Sequence, residues 1–73
     1  MNAGKAKNLL VGTVLVNTEY YELGTVRAYA QDGYGAFGWM IDWETQGVKF
    51  FRLGDMGYFE IYQPGPKKSA VRS

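Results

Sequence analysis

Asp42 and Glu44 stand two positions apart at the end of an alternating stretch, a spacing that turns both carboxylates to one side of a β-strand. Such a pair can hold a divalent cation or divide the work of a general acid and a general base. The pattern offers no third ligand, so the plainer reading is a solvated hairpin shoulder. Tyr34, Phe37, Trp39 and Trp43, threaded through the glycines of residues 33–38, have the types needed for a base-stacking platform. A platform also needs cations for phosphates, and Asp32, Asp42 and Glu44 surround it instead, so an ordinary core strand explains the same alternation. Trp43, Tyr20 and Tyr21 beside carboxylates have the composition of a cage for a methylated amine. The most suggestive segment is Asn17–Leu23, where Glu19 and Glu22 flank Tyr20 and Tyr21. Two adjacent tyrosines in a connection cannot both enter a core, and a wet-tipped aromatic with acidic neighbours suits a basic protein surface.

Several chemistries are closed to this chain. Cysteine and histidine are both zero, which removes disulfides, thiolate nucleophiles, Cys/His zinc sites and every His-dependent catalytic triad. None of the ten glycines falls in a Walker or dinucleotide arrangement, and Gly24, Gly33, Gly47, Gly54 and Gly57 read as turn residues. The expectation is a protein that is not an enzyme, with no cofactor, no metal and no small-molecule substrate. The uninterrupted run of large apolar residues Leu9-Leu10-Val11 is too short for a signal peptide or a membrane span, so no membrane is expected and the cytoplasm is the default location.

The elements that must position these side chains are short strands. The chain of 73 residues is long enough for one small domain. Residues 1–8 lack strand pattern and aromatics and read as a flexible, basic N-terminal tail dispensable for folding; residues 63–73, with Pro64 and Pro66, read as a flexible basic C-terminal tail. Between them, residues 9–62 form one β domain. Its strands are expected at about Val11–Asn17, Thr25–Gln31, Phe37–Trp43, Val48–Leu53 and Tyr58–Tyr62. In the second, Val26, Ala28 and Ala30 point inward and Thr25, Arg27 and Tyr29 outward. Thr18–Gly24 makes a long first connection, and Asp32-Gly33 marks a tight turn. No stretch longer than a single turn reads as helix. The fold class is therefore all-β, a small five-stranded antiparallel SH3-like barrel or strongly bent sheet with disordered basic termini. Trp39, central in the best-patterned strand, is its core anchor.

Charge and apolar content narrow the partners. Residues 9–62 carry three cations against seven carboxylates, a net −4, while the tails hold Lys5, Lys7, Lys67, Lys68 and Arg72. An acidic body repels a phosphate backbone, so direct nucleic-acid binding is not expected of it, and only the tails offer such contacts. The same span contains twelve aromatic and fourteen aliphatic or Met side chains. Five strands offer roughly 15 inward positions. The surplus must lie at barrel ends, in loops or on an interface. The partner-binding set drawn from this reading is Glu19, Tyr20, Tyr21, Glu22, Asp42, Trp43 and Glu44.

From Met1-Asn2-Ala3-Gly4-Lys5-Ala6-Lys7 through Gly38-Trp39-Met40-Ile41-Asp42-Trp43-Glu44 to the Pro64-Gly65-Pro66-Lys67-Lys68 segment, the whole chain resembles the small transcription regulators of xanthomonad bacteriophages. The resemblance implies a factor that binds host bacterial RNA polymerase at the N-terminal region of its largest catalytic subunit. It implies inhibition of initiation by weakened sigma-factor engagement, suppression of termination, no cofactor, and a site of action in the host cytoplasm. Two other classes remain beside it: an SH3-like or Tudor-like nucleic-acid-binding module that uses the basic tails, and a self-associating domain that hides its surplus apolar face in a dimer.

Overall fold

The computed structural model describes residues 1–64. Of the tail expected over 63–73, Gln63 and Pro64 fall within it and are exposed; Lys67, Lys68 and Arg72 lie outside the described residues. Five strands follow a short helix: α1 (Ala3–Lys7), β1 (Val14–Asn17), β2 (Glu22–Gln31), β3 (Phe37–Trp43), β4 (Gly47–Arg52), a 3-10 turn η1 (Leu53–Asp55) and β5 (Phe59–Ile61). They form one antiparallel sheet in the order β4-β3-β2-β1-β5. The sheet does not close into a barrel, so of the two expected forms the open, bent sheet is the one adopted.

Alternation locates β3. Trp39, Ile41 and Trp43 are all buried, joined in the core by Leu15, Val26 and Phe59 from three other strands, by Met56 just after η1, and by Ala6 and Leu9 from the N-terminal segment. Trp43, Phe51 and Phe59 meet edge to face, with Trp43 and Phe59 centroids 4.9 Å apart, the geometry ring quadrupoles favour. Room for the Trp43 indole comes from Gly24: a Cβ there would fall 2.5 Å from Trp43 Cε3. Gly24 thus lies within β2 rather than in a turn, and the first connection shrinks to the four residues Thr18–Tyr21.

The long strand β2 changes face midway. Its register against β3 shifts between Val26 and Ala28, leaving Arg27 unpaired in the ladder as a bulge. The expected alternation fails from that point. Val26 is inward as expected and Ala30 is half-buried, but Ala28 is exposed; Tyr29 is exposed as expected, yet it pairs with Trp39 and packs edge-on against it at 4.9 Å.

The N-terminal segment is not a loose tail. Residues 3–7 form α1, Ala6 is fully buried, and Leu9 joins the core just beyond. Asn2 caps the helix by accepting from Lys5 N at 2.8 Å, and Asn8 Nδ2 donates to Gly4 O at 3.2 Å. So short a helix has no independent stability. Docking supplies it: Trp39 Nε1 donates to Ala6 O at 2.7 Å, and the Met1 ammonium donates to the carbonyls of Met56, Gly57 and Phe59. No helix among the described residues is long and apolar enough to cross a membrane.

Candidate functional site

The β1–β2 turn is tied down from both ends. Asn17 Oδ1 accepts from Glu19 N at 2.9 Å and Tyr20 N at 3.3 Å, an Asx arrangement that reverses the chain. Thr18 donates its backbone N–H and its hydroxyl to Tyr58 O, fastening the turn to the start of β5. The turn closes with Tyr21 N donating to Asn17 O at 2.6 Å, and Tyr21 itself sits at φ 56°. It is the sole non-glycine among the described residues with positive φ. That backbone region is disfavoured for a bulky L-residue. The consequence is exposure: Tyr20 is 68% and Tyr21 84% accessible.

Beside these rings, Tyr20, Tyr21, Glu22, Glu44, Thr45 and Gln46 line an open depression of about 500 Å³. The turn and the β3–β4 hairpin, 23 residues apart in sequence, are joined there by Glu22. Its carboxylate accepts from Thr45 N at 2.7 Å, from the Thr45 hydroxyl, and from Gln46 Nε2 at 2.6 Å. Glu22 is buried, which corrects its expected place as an exposed contact: three donors hold the charge inside as a tie between hairpins. Those donors, the Thr45 hydroxyl first, then Thr45 N–H and the Gln46 amide, keep the Glu22 carboxyl below the ordinary carboxylate range.

Of the remaining expected residues, Asp42, Trp43 and Glu44 border one open depression of about 450 Å³ together with Val14, Leu23 and Thr25, but each is held differently. Trp43 is 2% accessible and belongs to the core, a second correction, because its alternation with Trp39 and Ile41 puts it on the inner face. Asp42 is turned to the other face, paired with Arg27 at 3.1 Å. Glu44 is exposed at the end of β3, its Oε1 taking Leu23 N at 3.3 Å. Asp42 and Glu44 therefore each have a partner of their own, and among the described residues no three acidic groups converge in a metal-holding cluster. The platform of Tyr34, Phe37, Trp39 and Trp43 is likewise divided, since both tryptophans are buried while Phe37 stacks on Tyr29 at 5.4 Å and Tyr34 lies under Arg52. Lys5 and Lys7 are exposed on α1.

Six residues of the neighbourhood are not in the expected set. Beside Asn17, Phe51 and Phe59, the residues Gln46, Asp55 and Tyr58 join Glu19, Tyr20 and Trp43 around a further cleft of about 200 Å³. Gln46, Asp55 and Tyr58 come from the β3–β4 turn, η1 and the start of β5, and only the return of β5 to β1 brings them together. Nothing local in the sequence marks them beyond the surplus of aromatics.

Asp32 organises the opposite end of the sheet. It accepts from Tyr34 N at 2.8 Å, Ala36 N at 2.9 Å and Arg52 Nε at 2.7 Å. The Ala36 N–H foremost, then the Tyr34 N–H and Arg52, hold its carboxyl below the usual value despite partial desolvation. Both Glu22 and Asp32 thus bind protons more weakly folded than unfolded, where 4.5 and 3.8 are the ordinary values. Their stabilisation is complete above the unfolded values and is lost as pH falls through the lower folded ones. The thermal midpoint is expected to be flat from neutrality to about pH 5 and to fall below it. In Glu22→Gln, where an amide faces three donors, the midpoint at neutral pH drops and the acid limb becomes shallower. Circular-dichroism melts across pH read both effects, and an acid limb unchanged in Glu22→Gln would refute the assignment.

No known protein family, curated protein or solved structure matches the chain.

Proposed function

We propose that this chain is a non-catalytic protein-binding module, and that its partner is the RNA polymerase of a host bacterium. On this reading it acts at the N-terminal region of the largest subunit, inhibits initiation by weakening sigma-factor engagement, and suppresses termination. The polymerase comes from the resemblance of the chain to phage transcription regulators. Support for a protein partner comes from one observation above the rest: Tyr21 is held in a left-handed backbone conformation while its ring is 84% accessible. Local strain that buries nothing favours a role in contact rather than in folding. Tyr20 beside it and the acidic Glu19 and Glu44 nearby give the face an aromatic centre and a negative rim, suited to a basic patch with an apolar middle.

Tyr21→Gly separates contact from stability. Glycine adopts positive φ without steric cost, so relief of strain offsets its added unfolded-state entropy and the thermal midpoint is expected to stay within a few degrees. Removal of a central aromatic anchor is worth about 2 kcal/mol, so affinity for purified polymerase falls about thirtyfold, chiefly through faster dissociation. Reversing the rim with Glu19→Lys and Glu44→Lys instead slows association and weakens its salt dependence. Binding kinetics at two salt concentrations measure both. Wild-type affinity in Tyr21→Gly would remove the turn from the interface. Absence of any polymerase binding by the unaltered protein, with binding to duplex or single-stranded nucleic acid, would move the function to the basic segments.

A further inference from the structure

The Met1 nitrogen sits inside a ring of acceptors. Its ammonium donates to Met56 O at 3.1 Å, to Gly57 O at 3.1 Å and to Phe59 O at 2.7 Å. An ammonium has three N–H groups, so each has a carbonyl of its own. Glu60 Oε2 stands 3.8 Å from the same nitrogen. These acceptors belong to the corner that leads from η1 into β5, and the three carbonyls lie 55 to 58 positions away in the chain. The Met1 side chain is 1% accessible, so the nitrogen cannot swing out without drawing that side chain from the core. Arg27 and Arg52, by contrast, make their ion pairs from half-exposed side chains. Asn2 fixes the other flank as the cap of α1. Hydrogen bonds from a charged donor are about twice as strong as neutral ones, and here three converge on one atom.

We infer that the Met1 α-nitrogen is a modification site, and that the η1–β5 corner closes only on an unacylated ammonium. The acyl group is the formyl with which bacterial synthesis starts a chain. A formamide nitrogen has a single N–H and no charge. It offers one donor to three carbonyls, leaves Glu60 without its cation, and sets a new carbonyl oxygen among acceptors. Repulsion between those oxygens keeps the corner open. An open corner is accessible, so the acylated chain is the form on which a host hydrolase acts. Water adds to the formyl carbon, the C–N bond breaks, formate leaves, and its proton goes to the amine. The ammonium so produced fits its acceptors, and β5 docks. A residue joined to Met1 by a peptide bond acylates the same nitrogen with the same consequence. Because Thr18 is bonded to Tyr58 at the entrance of β5, the state of the Met1 nitrogen reaches the tyrosine turn. The inference rests on the bacterial-host reading for the source of the formyl group alone.

The test compares the full chain in three forms, each verified by mass: with a free Met1, with an Nα-formyl Met1, and with one glycine ahead of Met1. The glycine form keeps an ammonium but carries it one residue further out, which separates loss of the acceptor geometry from loss of charge. The formyl and glycine forms are expected to melt roughly 5–10 °C below the free form. Amides of Phe59–Ile61 should exchange about tenfold faster in both, while those of β2 and β3 keep their protection. Peptide deformylase added to the folded formyl protein should release formate and restore the midpoint. Equal midpoints with equal β5 exchange in the free and formyl forms overturn the inference, and so does a glycine form indistinguishable from the free one. Formyl protein that is cut only after denaturation overturns the open corner. Polymerase affinity should fall with β5 protection. If no form binds polymerase while the melts and exchange behave as expected, the polymerase reading fails and the modification site stands.

Discussion

Trp39→Ala is expected to leave most molecules unfolded at room temperature. Trp39 is central in β3, 5% accessible, and joins that strand to three other elements. It pairs across β2 with Tyr29, whose ring meets it edge-on, and across β4 with Phe51. Its indole N–H also holds α1 through Ala6 O. Truncating a buried aromatic costs about 3–5 kcal/mol. A domain of this size has a few kcal/mol in all. Trp39→Phe divides the loss: the ring volume is largely kept while the bond to Ala6 is gone, so the destabilisation should be about 1–3 kcal/mol, with the protein still cooperative. Urea unfolding followed by Trp43 fluorescence measures both. Native-like stability in Trp39→Ala would remove Trp39 from the core and reopen the stacking platform.

What the sequence reveals about this fold depends on whether a residue's neighbours are local. β3 is legible because Trp39, Ile41 and Trp43 repeat with the period of the pleat and all three are buried. The turn signals at Asp32-Gly33 and before Gly47 mark the β2–β3 and β3–β4 neighbours, whereas no local signal places β5 beside β1, so the full strand order is not legible. The Arg27 bulge is not legible, since one unpaired residue changes no composition and yet shifts the register and ends the strict inward alternation at Val26. Glu22 shows the same limit at the candidate site. A glutamate beside two tyrosines reads as a surface charge, and only the donors of Thr45 and Gln46, brought in by the β3–β4 turn, make its burial tolerable. Adjacent residues in a connection cannot share a core, so the sequence requires one of Tyr20 and Tyr21 to be exposed; that both are exposed is seen only in the structure. The strain at Tyr21 is not legible either, since positive φ carries no signal in a residue type that rarely adopts it.

The N-terminal segment is the clearest case of structure supplied from a distance, and its deletion carries the second large effect. With lysines, glycine and asparagine around a single buried alanine, residues 1–8 show no amphipathic stripe. Yet α1 packs against η1, Met1 is partly buried against the core, and the Met1 ammonium donates to Phe59 O at 2.7 Å beside the carbonyls of Met56 and Gly57. These bonds hold the turn that leads into β5, a strand of three residues paired only with β1. Removing residues 1–8 therefore uncovers Trp39 and Met56 and frees the least-supported strand. Water can reach the Trp39 N–H once the helix has gone, so the cost is chiefly lost apolar contact and lost anchoring of β5. We expect about 2–3 kcal/mol, or a thermal midpoint lower by roughly 10–20 °C. Hydrogen exchange should show β5 amides losing protection before those of β2 and β3. A truncated protein within a few degrees of the full chain, with β5 still protected, would return residues 1–8 to the status of a dispensable tail. Because Thr18 is bonded to Tyr58 at the entrance of β5, the same truncation should also loosen the tyrosine turn. Partner binding should weaken with it although no residue of that face has been changed.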